Sequence, residues 1–205
     1  MNRLALSLSA GLLIAGSIVQ RCSAEGAAGQ AAPDFSLTDA NGQQQSLSAY
    51  KGKYVVLEWF NPECPFVRKH YGTGNMQAIQ KEMTGKGVVW LSVDSSALGK
   101  QGYLTPEQAR IFQKEEHNAA TAILLDSGGV VGRLYGAKTT PSMFVINPEG
   151  VIIYAGAIDN KRSTDPDDVK TAVNYVRQAL NESLAGKPVS VAQTQSYGCS
   201  VKYQQ

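Results

Sequence analysis

A chain of 205 residues, 43% of them hydrophobic, is long enough to bury one sizeable core, and nothing in it demands two domains. A formal net charge of +2, from 19 Lys and Arg against 17 Asp and Glu, excludes the strongly basic surface that a nucleic-acid or anionic-membrane binder presents.

The first residues read apart from that domain. MNR supplies a positive charge, Leu4 to Val19 carries none, and small residues follow before Glu25, so residues 1–24 are expected to be a cleaved export signal. The apolar stretch falls short of the ~18–20 residues of a membrane-spanning helix, which argues against stable membrane insertion. Gln20 and Arg21 stand where lipidation of Cys22 would need small residues. Removing the signal takes Arg3 and Arg21 with it and balances the charge. It also leaves Cys64 and Cys199 as the only thiols, in a periplasmic or secreted setting where disulfides persist.

After a small, polar linker, residues 34–53 hold short apolar pieces around Asn41-Gly42, which predicts a hairpin or loop lead-in. Tyr54 to Phe60 has the length and composition of a strand. Residues 65–84 are helical in pattern but interrupted by Gly72 and Gly74, so a second helix is expected from Asn75. Residues 88–95 form the next strand. Thr105, Pro106 and Gln108 supply an N-cap, a first-turn proline and a capping-box partner for a helix to Glu116. A strand at 122–126 and one short helix between Gly128 and Gly136 come next. SMFVI and VIIYAGAI flank Asn147-Pro148-Glu149-Gly150 as an antiparallel hairpin. Asp165 caps a last helix whose stripe is Val169, Val173, Val176, Leu180 and Leu184, ended by Gly186. Residues 186–205 form a tail with no helical period, carrying Cys199. Strands alternating with helices, then a hairpin and a helix, predict an α/β layer with a mixed central sheet.

The chemistry centres on EWFNPECPFVRKHYG, residues 58–72. A strand followed by Cys64-Pro65 and a helix puts a sulfur at a helix N-terminus, where free amides and the helix dipole stabilise a thiolate. Arg68, one helical turn on, is placed to add its charge to the same sulfur. The bland reading is a buried, inert cysteine.

APDFSL, LSAYKGKYVVLEWF running into Cys64-Pro65, Thr140-Pro141 before a strand, and the Asn147–Gly150 hairpin together resemble the thioredoxin-fold redoxins of the AhpC/TSA, peroxiredoxin-like type, over residues 31–185. The resemblance implies a thioredoxin-like fold and a cis Pro141 across from Cys64, with Thr140 and Pro141 leaving a backbone edge for a substrate. It also implies a buried acid six residues before the cysteine, where Glu58 stands. Glu58 is then a proton acceptor with a raised pKa serving the thiol through water, or else one half of a salt bridge at a sheet edge. The departures from the family pattern carry weight too. Val67 replaces a second cysteine, Asn61 and Leu57 replace residues of the peroxidatic set, and no arginine stands near Pro141, so efficient peroxide reduction is not expected.

Cys199 lies within reach of Cys64, since an extended tail from Gly186 covers more than the width of a small domain. Tyr197 to Tyr203 is too apolar and aromatic for a purely disordered terminus. If the tail docks at Cys64, Cys199 resolves a sulfenic acid or mixed disulfide formed there, or else makes a permanent structural bridge; undocked, it is free. His70 and His117 read as surface or satisfied core histidines. Copper binding would need a second nearby thiolate.

The expected protein is an exported thiol oxidoreductase with Cys64 as nucleophile, helped by Arg68 and Glu58. Pro141 and Thr140 shape the substrate edge, and Cys199 is the resolving thiol. It needs no cofactor or metal and exchanges electrons with a thiol or disulfide protein partner or a peroxide. The rival expectation is a non-catalytic binding module with a structural Cys64–Cys199 disulfide, and beyond it a copper-binding redoxin.

Overall fold

The computed structural model describes residues 26–204, so the expected export signal over 1–24, and Cys22 with it, lies outside the described residues. At the lead-in, Asp39 closes the Asn41-Gly42 turn with its own carboxylate, accepting from Asn41 N at 2.8 Å, Gln43 N at 2.9 Å and Gln45 Nε2 at 2.8 Å. Two short strands, β1 (Ser36–Thr38) and β2 (Gln44–Ser46), pair antiparallel across it.

The expected alternation follows. β3 (Val55–Trp59) leads into α1 (Pro65–Gly72) and α2 (Asn75–Thr84), which are separated where Gly74 takes a φ of +74°. β4 (Val89–Asp94) precedes α3 (Pro106–Glu115), whose capping box is complete: Thr105 Oγ1 accepts from Gln108 N at 3.2 Å and Gln108 Oε1 from Thr105 N at 2.9 Å. Then come β5 (Ala122–Leu125), the short α4 (Val130–Leu134), β6 (Thr139–Thr140), and the hairpin of β7 (Ser142–Ile146) with β8 (Ile152–Gly156). α5 (Tyr175–Leu184) and β9 (Cys199–Ser200) complete the order.

The five-stranded sheet runs β5-β4-β3-β7-β8, with β3 parallel to β4 and antiparallel to β7. Because strand side chains alternate, Val55, Leu57 and Trp59 enter one buried cluster with Leu91 and Phe144. Val56 and Phe60 enter the other, with Val67, Ile79, Val176 and Leu180 of the helices. Both faces of β3 are thus covered, which is what its nearly continuous apolar run requires, and each large side chain enclosed there stabilises the fold by ~1.5–3 kcal/mol. Among the described residues, no helix is long and apolar enough to cross a membrane.

One predicted helix divides. Residues 166–170 form a 3-10 turn after Asp165, and α5 begins afresh at Asn174, whose side chain accepts from Arg177 N at 2.9 Å. The loop after β8 takes the backbone groups a continuous helix would use: Val173 N donates to Asn160 Oδ1 at 2.9 Å and Tyr175 N to Ile158 O at 3.0 Å. Val173 and Leu184, expected in the buried stripe, are 48% and 40% exposed, and the packing falls to Val176, Ala179 and Leu180.

The tail beyond α5 is a docked strap. It runs beside β8, with Ala155 N on Ala192 O and Thr194 N on Ala155 O, both at 3.0 Å. It then crosses to pair β9 with β6, and reaches the loop after β4, where Ala97 N donates to Lys202 O at 2.8 Å. Tyr203 ends the crossing with its hydroxyl on Ala137 O at 2.6 Å and the Arg133 guanidinium 4.6 Å from its ring centroid.

Candidate active site

Cys64 is the N-cap of α1, with Pro65 in the first helical position. The turn that delivers it is fixed by Asn61, whose Oδ1 accepts from Glu63 N at 2.8 Å and whose Nδ2 donates to Gln101 O at 3.0 Å. Cys64 is 0% exposed. Its thiol donates to Thr140 O at 3.2 Å, beside the cis Thr140–Pro141 peptide. Thr140 is also the residue that pairs with Cys199 in the β6–β9 register, so the strap carries the second thiol onto the first. Both are free thiols, Cys64 enclosed and Cys199 partly exposed.

The two sulfurs differ in acidity. Burial pushes the Cys64 thiol up, but hydrogen bonds from the Cys199 thiol, the Thr140 hydroxyl and the amides of Cys199 and Val67 outweigh it and hold Cys64 below the ordinary thiol value. The buried Thr140 hydroxyl makes no hydrogen bond of its own and is free to donate to a sulfur anion. Cys199 moves the opposite way, to about 11, through burial and through donating to Cys64, with Lys202 pulling it back. The helix start therefore acts, but as the least of these donors, and the sulfur makes no capping hydrogen bond of its own. Register with Thr140 thus brings a second thiol, from the far end of the chain, to the Cys64 sulfur.

Arg68 corrects its sequence-based placement. Its Nε donates to Pro62 O at 3.2 Å on the exposed side of α1, and it makes no hydrogen bond to the Cys64 sulfur. Glu58 lies in the central strand, 0% exposed, neither at a sheet edge nor paired with a cation. Its oxygens accept from Tyr71 Oη at 2.9 Å, Gln80 Nε2 at 3.1 Å, Trp90 Nε1 at 2.8 Å and Ser92 Oγ at 2.9 Å. Burial raises its pKa and these donors only partly offset it. None of its hydrogen bonds reaches Cys64.

The structure adds a group that sequence reasoning missed. Two residues before Cys199, the Tyr197 hydroxyl donates to Asp159, which also accepts from Lys161 N at 2.9 Å and lies 4.0 Å from Lys69 Nζ. Tyr197 packs edge-on against Phe66 at 5.8 Å. His70, expected at the surface or satisfied in the core, is enclosed with Nε2 unpartnered, 3.8 Å from Asp159 Oδ2. The signal available in sequence was Tyr197-Gly198-Cys199, an aromatic and a glycine before the second thiol. Among the described residues, no three of His, Cys, Asp and Glu gather as a metal site.

Residues 28–155 match the AhpC/TSA family. The chain is similar to the thioredoxin-like protein YneN of Bacillus subtilis, 30% identical over 135 residues that make up 65% of this chain and 74% of that protein. It is similar to the thiol-disulfide oxidoreductase ResA of the same organism, 26% identical over 125 residues, 61% of this chain and 64% of ResA, so the chain spans just under two thirds of that relative. In three dimensions it resembles an uncharacterized conserved protein from Geobacillus kaustophilus, with a TM-score of 0.76 at 24% identity, covering 88% of this chain and 94% of the other.

Proposed function

This chain belongs to the AhpC/TSA family, and on that footing we propose that it is an exported, thioredoxin-fold thiol–disulfide oxidoreductase working through Cys64 and Cys199. The observation that carries the reading is the β6–β9 register, which sets Cys199 across from Thr140, the residue whose carbonyl receives the Cys64 thiol. Names of relatives such as ResA support the same chemistry, and the uncharged N-terminal segment supports export to the periplasm or beyond.

The Cys64 thiolate attacks a partner disulfide, forming a mixed disulfide and releasing one partner thiolate. Cys199, on giving up its proton, attacks the Cys64 sulfur, forms the Cys64–Cys199 disulfide and releases the second partner thiolate; two electrons have passed to the partner. A donor dithiol resets the pair. Its attack falls on Cys199, the more exposed sulfur, and expels Cys64, the better leaving group because its pKa is lower. The donor's second thiol then frees Cys199 and the donor departs as a disulfide. Thr140 and Pro141 form the edge on which the partner lies. Glu58 stays outside the exchange and acts at one remove, by fixing Tyr71 of α1. Peroxide reduction is the lesser route, because Asn61 and Leu57 stand where peroxidatic residues would.

The full enclosure of Cys64 favours one rival, a binding module whose Cys64 thiol is sealed. Treating the reduced protein with one equivalent of a protein disulfide and reading the products by non-reducing mass spectrometry separates the two. The wild type is expected to hold an internal Cys64–Cys199 disulfide, and Cys199→Ser a partner adduct on Cys64. Absence of both products would refute the oxidoreductase reading.

A further inference from the structure

Strand β9 treats the site as a bound polypeptide would. It pairs antiparallel with β6 and lays a cysteine on the Cys64 sulfur, and Val201 N continues the pairing to Lys138 O at 3.0 Å. What the docked segment carries on either side of that cysteine is not interchangeable. Gly198 has a φ of +124°, and a Cβ there would sit 2.8 Å from the Thr140 carbonyl carbon, nearer still to its oxygen, so only glycine fits immediately before the cysteine. One residue earlier, the Tyr197 ring fills a recess between Phe66 and the Lys69 ammonium, 5.6 Å from the ring centroid, and gives its hydroxyl to Asp159. Beside it, a cavity of about 190 Å³ bordered by Asp159, Asn160, Arg162, Thr194 and Gln195 leaves room for the strap to shift.

Taking the thiol-exchange reading above as its basis, we propose that the β6 edge selects its partner by sequence: an extended polypeptide segment with tyrosine, glycine and cysteine in succession, which displaces β9 and presents its cysteine to Cys64. Strand pairing supplies affinity and side-chain recesses supply specificity, the usual division in strand-addition recognition. The hydroxyl matters as well as the ring. With the strap away, Asp159 is left with one fewer donor in an enclosed setting, and a segment bringing phenylalanine or alanine leaves it so, whereas one bringing tyrosine restores the bond.

The test uses full-length, reduced Cys199→Ser and the peptide serine-tyrosine-glycine-cysteine-serine-valine, its cysteine joined to 5-thio-2-nitrobenzoate. The Cys64 thiolate attacks the peptide sulfur; a Cys64–peptide disulfide forms, the bond to thionitrobenzoate breaks, and that coloured thiolate leaves. Peptides with alanine for tyrosine or alanine for glycine are expected to react at least ~10-fold more slowly, and phenylalanine for tyrosine to fall between, a spread that follows from one unsatisfied buried acceptor or one steric overlap. Equal rates for all four peptides would overturn the selectivity while leaving thiol exchange intact. No reaction with any peptide or with a small aliphatic disulfide would overturn both. Tyr197→Ala in the same background vacates the recess and is expected to speed the tyrosyl peptide more than the alanyl one; an equal gain for both counts against the recess.

Discussion

Gly198→Ala, placed in Cys199→Ser so that Cys64 is the only described thiol, tests whether the strap is the barrier over the site. Alanine at a φ of +124° costs ~1–3 kcal/mol in backbone strain. Crowding the Thr140 carbonyl adds ~1–3 kcal/mol more. The strap escapes both costs by lifting off β6, so the penalty falls on docking and not on the core. At 1.4 kcal/mol per decade, a loss of ~3 kcal/mol, in the lower half of their combined range, opens the strap about a hundredfold more often. Cys64 alkylation by iodoacetamide, compared with the Cys199→Ser parent under native conditions, is expected to rise by about that factor, with the thermal midpoint lowered by several degrees because the closed form loses the same free energy relative to the unfolded chain. Gly42→Ala supplies the control, since it also has a positive φ but open space around the added carbon, and it is expected to leave the alkylation rate unchanged. A rise below about threefold for Gly198→Ala would refute the reasoning that docking of β9 is what encloses Cys64.

Arg68→Ala is expected to change the Cys64 alkylation rate less than ~3-fold, because the guanidinium is spent on Pro62 O; a larger fall would return Arg68 to the sulfur. Glu58→Gln is expected to leave the pH midpoint of that alkylation where it is, and a moved midpoint would show proton exchange between Glu58 and the thiol. In oxidised wild type, a limiting amount of reduced glutathione is expected to attack Cys199, so that an acid-quenched mixed disulfide mapped by mass spectrometry carries the glutathione on Cys199; glutathione on Cys64 would reverse the proposed polarity. Burial lowers the His70 pKa to about 4, with Asp159 opposing and Lys69 assisting. A depressed histidine contributes stability that is fully present above its unfolded value of 6.5 and is lost as the pH falls towards about 4, here ~3 kcal/mol. Urea unfolding at pH 7 and pH 4 is expected to show that loss in the wild type and much less of it in His70→Gln.

Local signals in the chain were enough for most of the fold. The capping box at Thr105, the Asn41-Gly42 turn and the break at Gly74 all rest on residues within a few positions of each other, and each forms as its chemistry dictates. The misread helix shows where that stops: Val169 to Leu184 keeps a helical period, but Asn160 and Ile158 take the amides of Val173 and Tyr175 from across a loop. At the site, the strand-to-helix presentation of Cys64 was legible because it is contiguous. Cys199 was readable as a thiol within reach, but the way it arrives was not, because that depends on β9 pairing with β6. Glu58 was readable as a buried acid from its apolar surroundings, whereas its four donors come from α1, α2 and β4 and follow only from the packed sheet.

Both tryptophans of the chain are enclosed, yet they face different chemistry: Trp59 gives its indole hydrogen to the Ser95 hydroxyl at 3.0 Å, and Trp90 gives its own to the Glu58 carboxylate at 2.8 Å. The Trp90 indole therefore sits against a carboxyl group whose pKa burial raises, and its emission is expected to change when that group ionises. Replacing Trp59 with phenylalanine would leave a single tryptophan, excitable apart from the tyrosines, reporting from the centre of the sheet with no dye attached.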